Sequence, residues 1–359
     1  VLPVSYRTFP EKIIQRQEEF VDDVKYIYCK TYNYPLLRNF YSAIQVKKEV
    51  KKLLIKYKKE DILFITDGLF CEFGKACNLI HRKNRHVFTI LTDIPSYVSN
   101  MNTRTGLKQF LLGIYGKRGD KVLNNLYDGY IFLTKYMNDL CNRRKKPFTV
   151  IEGLLDDTIF PKKEQKERHS KLPIVLYAGK YNSEFGVLNL AKSAEKLEGV
   201  CKIELYGANG DCMDELRRLE IENDNLTVNG IIELPQLVQK EVDADLLINP
   251  RPGKHLFTRY SFPSKTLEYM NSGTPVLMYR LEGIPKEYDE FLYYIDGDKS
   301  SEDEIATAIK TVLSTDKNIF REKGLAAQRF VRENKNNVSQ TKKILDFIIN
   351  HEKNQSCHN

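Results

Sequence analysis

The stretch Arg259-Tyr-Ser-Phe-Pro-Ser-Lys-Thr-Leu-Glu-Tyr-Met-Asn-Ser-Gly-Thr-Pro-Val-Leu277 constrains this chain more than any other. It reads as loop, short helix, turn and strand. Pro263 suits the first helical position, where its fixed φ helps and its missing N–H is not needed. Gly273 marks a left-handed stop, and the residues after it open an apolar strand. A helix of this span puts Ser264 and Glu268 on one face, while Leu267 and Met270 turn inward. Its amino end offers unpaired N–H groups and partial positive charge beside Ser264 and Lys265. That suits an anion such as a diphosphate, although an ordinary capped helix with a surface lysine fits the stretch equally well. Just upstream, Asp245-Leu-Leu-Ile-Asn-Pro250 reads as a buried strand, so the helix follows a strand's carboxyl end, where open parallel sheets bind ligands.

The rest of the chain repeats that alternation. Strands are expected at 24–29, 61–66, 86–91, 129–134 and 148–151, with helices at 36–59, up to about 82, 105–126 and 135–142. After a polar segment bounded by Pro161 and Pro173, strands are expected at 173–178, 201–206, 225–228, 245–249 and 275–279. Helices fall between them at 186–197, 212–220 and 234–241, and a final pair at 302–314 and 318–350 closes the chain. The fold class is therefore α/β, with two doubly wound domains facing each other across a cleft. The expected boundaries are 1–156 for the first domain, 157–172 for the linker and 173–332 for the second. A C-terminal helix and tail at 333–359 would pack back on the first domain. Val1-Leu-Pro-Val-Ser already reads as a strand, which suggests missing sequence upstream of it.

Composition excludes several classes. Seven cysteines, odd in number and never spaced Cys-x-x-Cys, argue against a disulfide framework or a zinc site and for a reducing compartment. No apolar run is long enough to span a bilayer. The net charge of +8 comes entirely from residues 1–158, which suggests that this half faces an anionic partner. Its candidates are the lysine face of the 36–59 helix, His81-Arg-Lys-Asn-Arg85 and Arg143-Arg-Lys-Lys146. A solvated helix face explains the lysines as well. No nucleic-acid module is recognisable.

The second half resembles the donor-binding domain of family-4 glycosyltransferases of the GT-B fold. The matching segments are Tyr177-Ala-Gly-Lys180, Gly186-Val-Leu-Asn-Leu-Ala191, Leu205-Tyr-Gly-Ala-Asn-Gly210, Asn229-Gly230, Ala244-Asp-Leu-Leu-Ile-Asn-Pro-Arg251 and Ser261–Val276. The first half matches more loosely, through Leu91-Thr-Asp-Ile-Pro95, Asp128–Thr134 and Val150-Ile-Glu-Gly153. The resemblance is to bacterial enzymes of capsule and exopolysaccharide assembly. It implies two Rossmann-like domains and metal-independent, retaining transfer of a hexose from a nucleotide sugar, a UDP-sugar, with no cofactor. The acceptor would be a glycan or a lipid-linked molecule, handled in the cytoplasm at the inner face of the membrane.

The implied donor site comprises Gly179, Lys180, Gly207, Gly230, Arg251, Arg259, Tyr260, Ser264, Lys265 and Glu268. Lys265, Lys180 and Asp93 are the implied catalytic groups. Lys180 and Lys265 would meet charge building on the departing diphosphate, and Glu268 would accept hydrogen bonds from the ribose hydroxyls. Arg251 and Arg259 either approach the sugar or diphosphate or anchor their loops. Asp93 either orients the acceptor or caps a turn. The sequence departs from the family where Tyr260 replaces the first of two glutamates and Phe185 replaces a second lysine. The first domain's usual histidine and glycine-rich loop have no counterpart. These departures leave open a non-catalytic subunit that stabilises a partner enzyme. A rival, metal-dependent chemistry would use Asp243-Ala-Asp245 or Asp296-Gly-Asp298.

Overall fold

The computed structural model describes residues 13–32, 34, 37–60, 62–100, 107–155, 172–253, 256–297 and 300–356. The chain divides into two compact units, Val1–Val150 with Phe347–Asn359 and Ile151–Asp346. The strand expected at Val1–Ser5 lies outside the described residues, as does all of the expected linker except Leu172.

The first unit opens with two small antiparallel pairs. β1 (Ile13–Ile14) pairs with β4 (Thr31–Tyr32), and β2 (Gln17–Val21) with β3 (Val24–Tyr28). The strand expected at 24–29 is therefore present, but as one arm of a hairpin and not in the parallel sheet. Asp22 and Asp23 both take positive φ (49° and 62°), the left-handed turn that a two-residue hairpin requires. α1 (Leu37–Lys56) follows; it buries Ala43 and Val46 and leaves Lys47, Lys48, Lys51, Lys52 and Lys56 exposed.

The unit's main sheet is parallel throughout, in the order β5 (Phe64–Asp67), β6 (Val87–Leu91), β7 (Gly129–Phe132), β8 (Phe148–Val150). α2 (Gly74–His81), α3 (Pro95–Asn100), α4 (Leu107–Leu126) and α5 (Met137–Cys141) occupy the crossovers. β7 is buried at every position, which is why Gly-Tyr-Ile-Phe reads as a continuous apolar run. Asp128, just before β7, ties the start of β6 and the end of α2 together by accepting from the Val87 N–H at 2.9 Å and meeting His81 Nε2 at 2.9 Å. Burial alone would push this carboxyl up, but those hydrogen bonds hold it below the usual carboxylate range.

The second unit is a six-stranded parallel sheet. Its strands in chain order are β9 (Ile174–Ala178), β10 (Lys202–Tyr206), β11 (Leu226–Val228), β12 (Leu246–Asn249), β13 (Val276–Tyr279) and β14 (Tyr293–Ile295). In space they run β11-β10-β9-β12-β13-β14. This is the doubly wound dinucleotide-binding order, which reverses direction between β9 and β12. β14 was not expected from the sequence. α6 (Val187–Lys192), α7 (Met213–Glu222), α8 (Leu234–Asp243), α9 (Lys265–Ser272) and α10 (Glu302–Leu313) cover the sheet. The helix expected over 186–197 is α6 followed by a separate 3-10 turn at Glu195–Leu197. α10 begins with a capping box: the Glu304 N–H donates to Ser301 Oγ at 3.3 Å, and the Ser301 N–H to Glu304 at 3.4 Å.

The long closing helix is two helices, α11 (Lys317–Asn334) and α12 (Asn337–Ser356). The break is tertiary in origin. Leu155 N–H donates to the Lys335 carbonyl at 3.0 Å, and Asn337 N–H to the Leu155 carbonyl at 3.2 Å. Lys335 itself is buried, with Nζ 3.1 Å from Glu152 and 2.7 Å from Glu287. From Phe347 onward α12 belongs to the first unit, where Phe347 and His351 pack edge-on against Phe88 at 6.0 and 5.4 Å between ring centres.

Candidate functional site

At the reversal of strand order, adjacent parallel strands send their connections to opposite faces of the sheet, and a crevice opens at their carboxyl ends. Here those ends are Ala178 of β9 and Asn249 of β12. A cavity of about 190 Å³ lies there, lined by Tyr177–Lys180, Phe185, Asn249, Arg251, Pro263–Lys265 and Tyr269. Of the residues singled out from the sequence, Gly179, Lys180, Arg251, Ser264 and Lys265 meet in this one cavity.

Local chemistry explains the convergence. β9 gives way to Gly179, whose N–H donates to the Tyr206 carbonyl at 2.9 Å. The next strand turns at Gly207, whose N–H donates to the Gly230 carbonyl at 3.2 Å. A Cβ on Gly207 would fall on the Gly179 carbonyl oxygen, so glycine is required where these two loops touch. Gly207 and Gly230 thus shape the floor from behind and do not line the cavity. The same loops are laced by Asp211, which accepts from the Ser183 N–H at 2.7 Å and its hydroxyl at 3.0 Å. Those bonds, with Lys180 nearby, lower the Asp211 pKa.

α9 forms one wall. It begins at Lys265, two residues later than expected: Ser264 has helical dihedrals, and Pro263 stands before it with its carbonyl accepting from Thr266 N–H at 2.8 Å. Gly273 ends the helix in the left-handed conformation (φ 75°), and Leu267 and Met270 are buried, as the sequence implies. Glu268 sits on the exposed side with its carboxylate 3.7 Å from Lys265 Nζ, and does not line the cavity. The lysine and the glutamate are thus one charged pair at the helix start.

Arg251 is held over the Phe185 ring, 5.5 Å from guanidinium to ring centre, and burial lowers its pKa. Phe185, which replaces an expected lysine, thus stacks the arginine that brings positive charge to the same wall. Arg259 pairs with Glu282 at 3.2 Å, and neither it nor Tyr260 lines the cavity. This favours the loop-anchoring alternative for Arg259. Asp93 belongs to the first unit, in the turn between β6 and α3. Solvent reaches its side chain, yet its surroundings displace part of its hydration; that, with the nearby Asp67 charge, raises its pKa. Asp245 accepts from the Ile174 N–H at 2.7 Å, and Asp243 accepts from Gln239 at 2.9 Å, so both carboxylates have structural partners. Asp298 lies outside the described residues.

Sequence reasoning passed over Tyr269, Asn249 and Tyr177 as lining residues, and Glu241 behind them. The signal for Glu241 was available: an acidic residue within the apolar spacing of Val238 and Val242 on one helix.

Residues 172–315 match the family described as glycosyl transferases group 1. No curated protein sequence matches the chain. Among solved structures, the chain is similar to sucrose-phosphate synthase from Thermosynechococcus elongatus, with a TM-score of 0.61 and 15% identity over 95% of this chain and 85% of that one. It is also similar to a TarM mutant from S. aureus in complex with fondaparinux, alpha-GlcNAc-glycerol and UDP, with a TM-score of 0.60 and 16% identity over 89% of this chain. The match spans 62% of the TarM chain. A third similar structure is HepE of Anabaena in complex with UDP, with a TM-score of 0.61 and 14% identity over 84% of this chain and 82% of that one.

Proposed function

We propose that this chain, which has the GT-B fold and carries a glycosyl transferases group 1 domain over residues 172–315, is a retaining, metal-independent glycosyltransferase. Its donor would be a nucleotide sugar, a UDP-sugar, and its acceptor a glycan or lipid-linked molecule of surface polysaccharide assembly. The observation that carries the reading is the convergence of Lys180, Arg251, Ser264 and Lys265 on one cavity at the reversal of strand order. The relatives complexed with UDP support the choice of nucleotide.

In this reading the diphosphate lies between the end of β9 and the start of α9. Lys180, Arg251 and Lys265 offset the charge that builds on the leaving group, and the positive end of the α9 dipole adds to the field. Arg251, half-buried and stacked on Phe185, is in place before substrate arrives, so less reorganisation opposes the transition state. Glu268, beside Lys265, accepts the ribose hydroxyls. No resident cofactor is needed, because protein cations supply the positive charge. Asp93 acts on the acceptor side.

The test is a screen of UDP-, GDP- and ADP-sugars for nucleoside diphosphate release, with Lys265→Ala as control. Loss of one such group is expected to cut turnover about a hundredfold or more in a protein that remains folded. Near-normal turnover would remove Lys265 as leaving-group stabiliser. Failure to bind any of the three nucleotides would favour a non-catalytic subunit.

A further inference from the structure

One charged group close to the donor cavity has no part in the mechanism above. Glu241 lies on α8, 1% exposed, on the same buried side as Val238 and Val242. Its backbone carbonyl accepts from Thr274 Oγ1 at 2.8 Å, which fixes the residue where the end of α8 meets the turn after α9. Its Oε1 has no hydrogen-bond partner among the described residues. A buried carboxylate in that position is costly unless a charge offsets it or a proton neutralises it.

The charges that act on Glu241 both come from α9. Lys265 favours the ionised form and Glu268 disfavours it. Tyr269, on the same helix, is also close enough to act on it electrostatically, but its hydroxyl is committed to Ala178. On its own helix, Asp243 turns to Gln239. Burial is the largest influence and, with Glu268 adding to it against the pull of Lys265, pushes the Glu241 carboxyl up to about 7. Lys265, the charge that opposes this rise, also lines the cavity.

We propose that Glu241 is a proton-linked counter-charge of the donor site: ionised, it balances Lys265 while the cavity is empty, and it takes one proton from solvent when a nucleotide-sugar diphosphate pairs with Lys265. The inference rests on the donor reading above, since it needs an anion at that lysine. An arriving diphosphate adds negative charge near Glu241 and engages the positive charge that had favoured the carboxylate. Both effects favour the neutral acid. The only bond formed is O–H, and the proton comes from water or buffer. Glu241 is thus a positioning residue, which keeps Lys265 balanced without touching substrate. Donor binding then tightens as pH falls through neutrality, because the bound state holds more protons.

UDP-glucose is the probe, because its diphosphate is a diester whose charge is constant across the neutral range. Calorimetric titration in two buffers of different ionisation enthalpy counts the protons taken up. The wild-type protein is expected to take up a fraction of a proton per UDP-glucose near neutrality. Its affinity is expected to fall severalfold from about pH 6 to about pH 8, one linked proton allowing at most about tenfold per pH unit. Glu241→Gln is expected to bind with no such uptake and a flat pH profile. The same uptake in both proteins overturns the proposal, whereas no binding of UDP-glucose at any pH overturns the donor reading and the linked uptake with it.

Melting curves without ligand test the coupling separately. A carboxyl raised from 4.5 to about 7 on folding loses stability for the protein as pH rises through that interval, and the loss levels off above it. Lys265→Ala, which removes the favourable charge, is expected to extend the loss to higher pH. If Lys265→Ala leaves the pH dependence of melting unmoved, Glu241 is not coupled to Lys265 and the proposal fails.

Discussion

The hydroxyl of Tyr269 bridges both backbone groups of Ala178, accepting from its N–H at 2.7 Å and donating to its carbonyl at 3.1 Å. This pair joins the middle of α9 to the last residue of β9. It therefore sets the spacing between Lys265 and Lys180, the two cations of the proposed site. Tyr269→Phe leaves the ring in place and removes the bridge. We expect a loss of about 1–3 kcal/mol in unfolding free energy. Turnover should fall further than that loss explains, because the lysines are no longer held in register. Unchanged kinetics in a folded variant would show that the bridge does not hold the site's geometry.

Lys335 and Glu152 form an ion pair with side chains only 5% and 4% exposed, extended by Glu287 at the surface. Removing one partner strands the other charge in the interior. Lys335→Ala is expected to destabilise the second unit by about 3–5 kcal/mol, read by denaturant unfolding. Lys335→Met combined with Glu152→Gln should recover most of that, because neither charge remains. A double variant no more stable than the single one would mean that the pair's specific geometry, and not its charge, sustains the break between α11 and α12.

Metal independence follows from the proposed use of lysine and arginine at the diphosphate. EDTA is expected to leave transfer essentially unchanged. Activity lost to EDTA and restored by manganese would instead favour the Asp-x-Asp chemistry, even though Asp243 and Asp245 hold protein partners here.

The exposed face of α1 carries five lysines, and within it Phe40 and Ile55 are 61% and 66% exposed. A basic face with apolar residues on it suits an anionic lipid surface, where each basic residue contributes about 1 kcal/mol, screened by salt. Sedimentation with vesicles should show binding to anionic and not to neutral lipid, weakened at high salt. Lys51→Glu with Lys52→Glu should reduce it several-fold. Equal binding to both vesicle types would leave the lysines as a merely solvated face.

The second unit was legible because its strands are short apolar runs separated by glycine turns. Gly273, Leu267 and Met270 all took the places that their spacing implied. The sequence was silent where long-range contacts decide. Nothing local distinguishes Val24–Tyr28 as a hairpin arm from a member of the parallel sheet. No glycine or proline marks the break at Lys335–Asn336, which backbone bonds from Leu155 impose. β14 is three residues between turns, too short to give a period. In the site, the cationic side chains were readable from their motifs. Tyr269 was not singled out, because its role depends on what faces it from β9, whereas Glu241 stood out only by its place among the apolar positions of α8.

The helix α12 also bears on how the molecule is made. The sheet of the first unit leaves the ribosome early, but Phe88 must wait for Phe347 and His351 before its covering is complete. The second unit, Ile151–Asp346, is continuous in sequence and can close as soon as it is synthesised. The first unit to be synthesised is thus the last whose core is completed. During elongation the nascent first unit carries an unfinished apolar surface, which is exposed to chaperones and proteases until the last helix arrives.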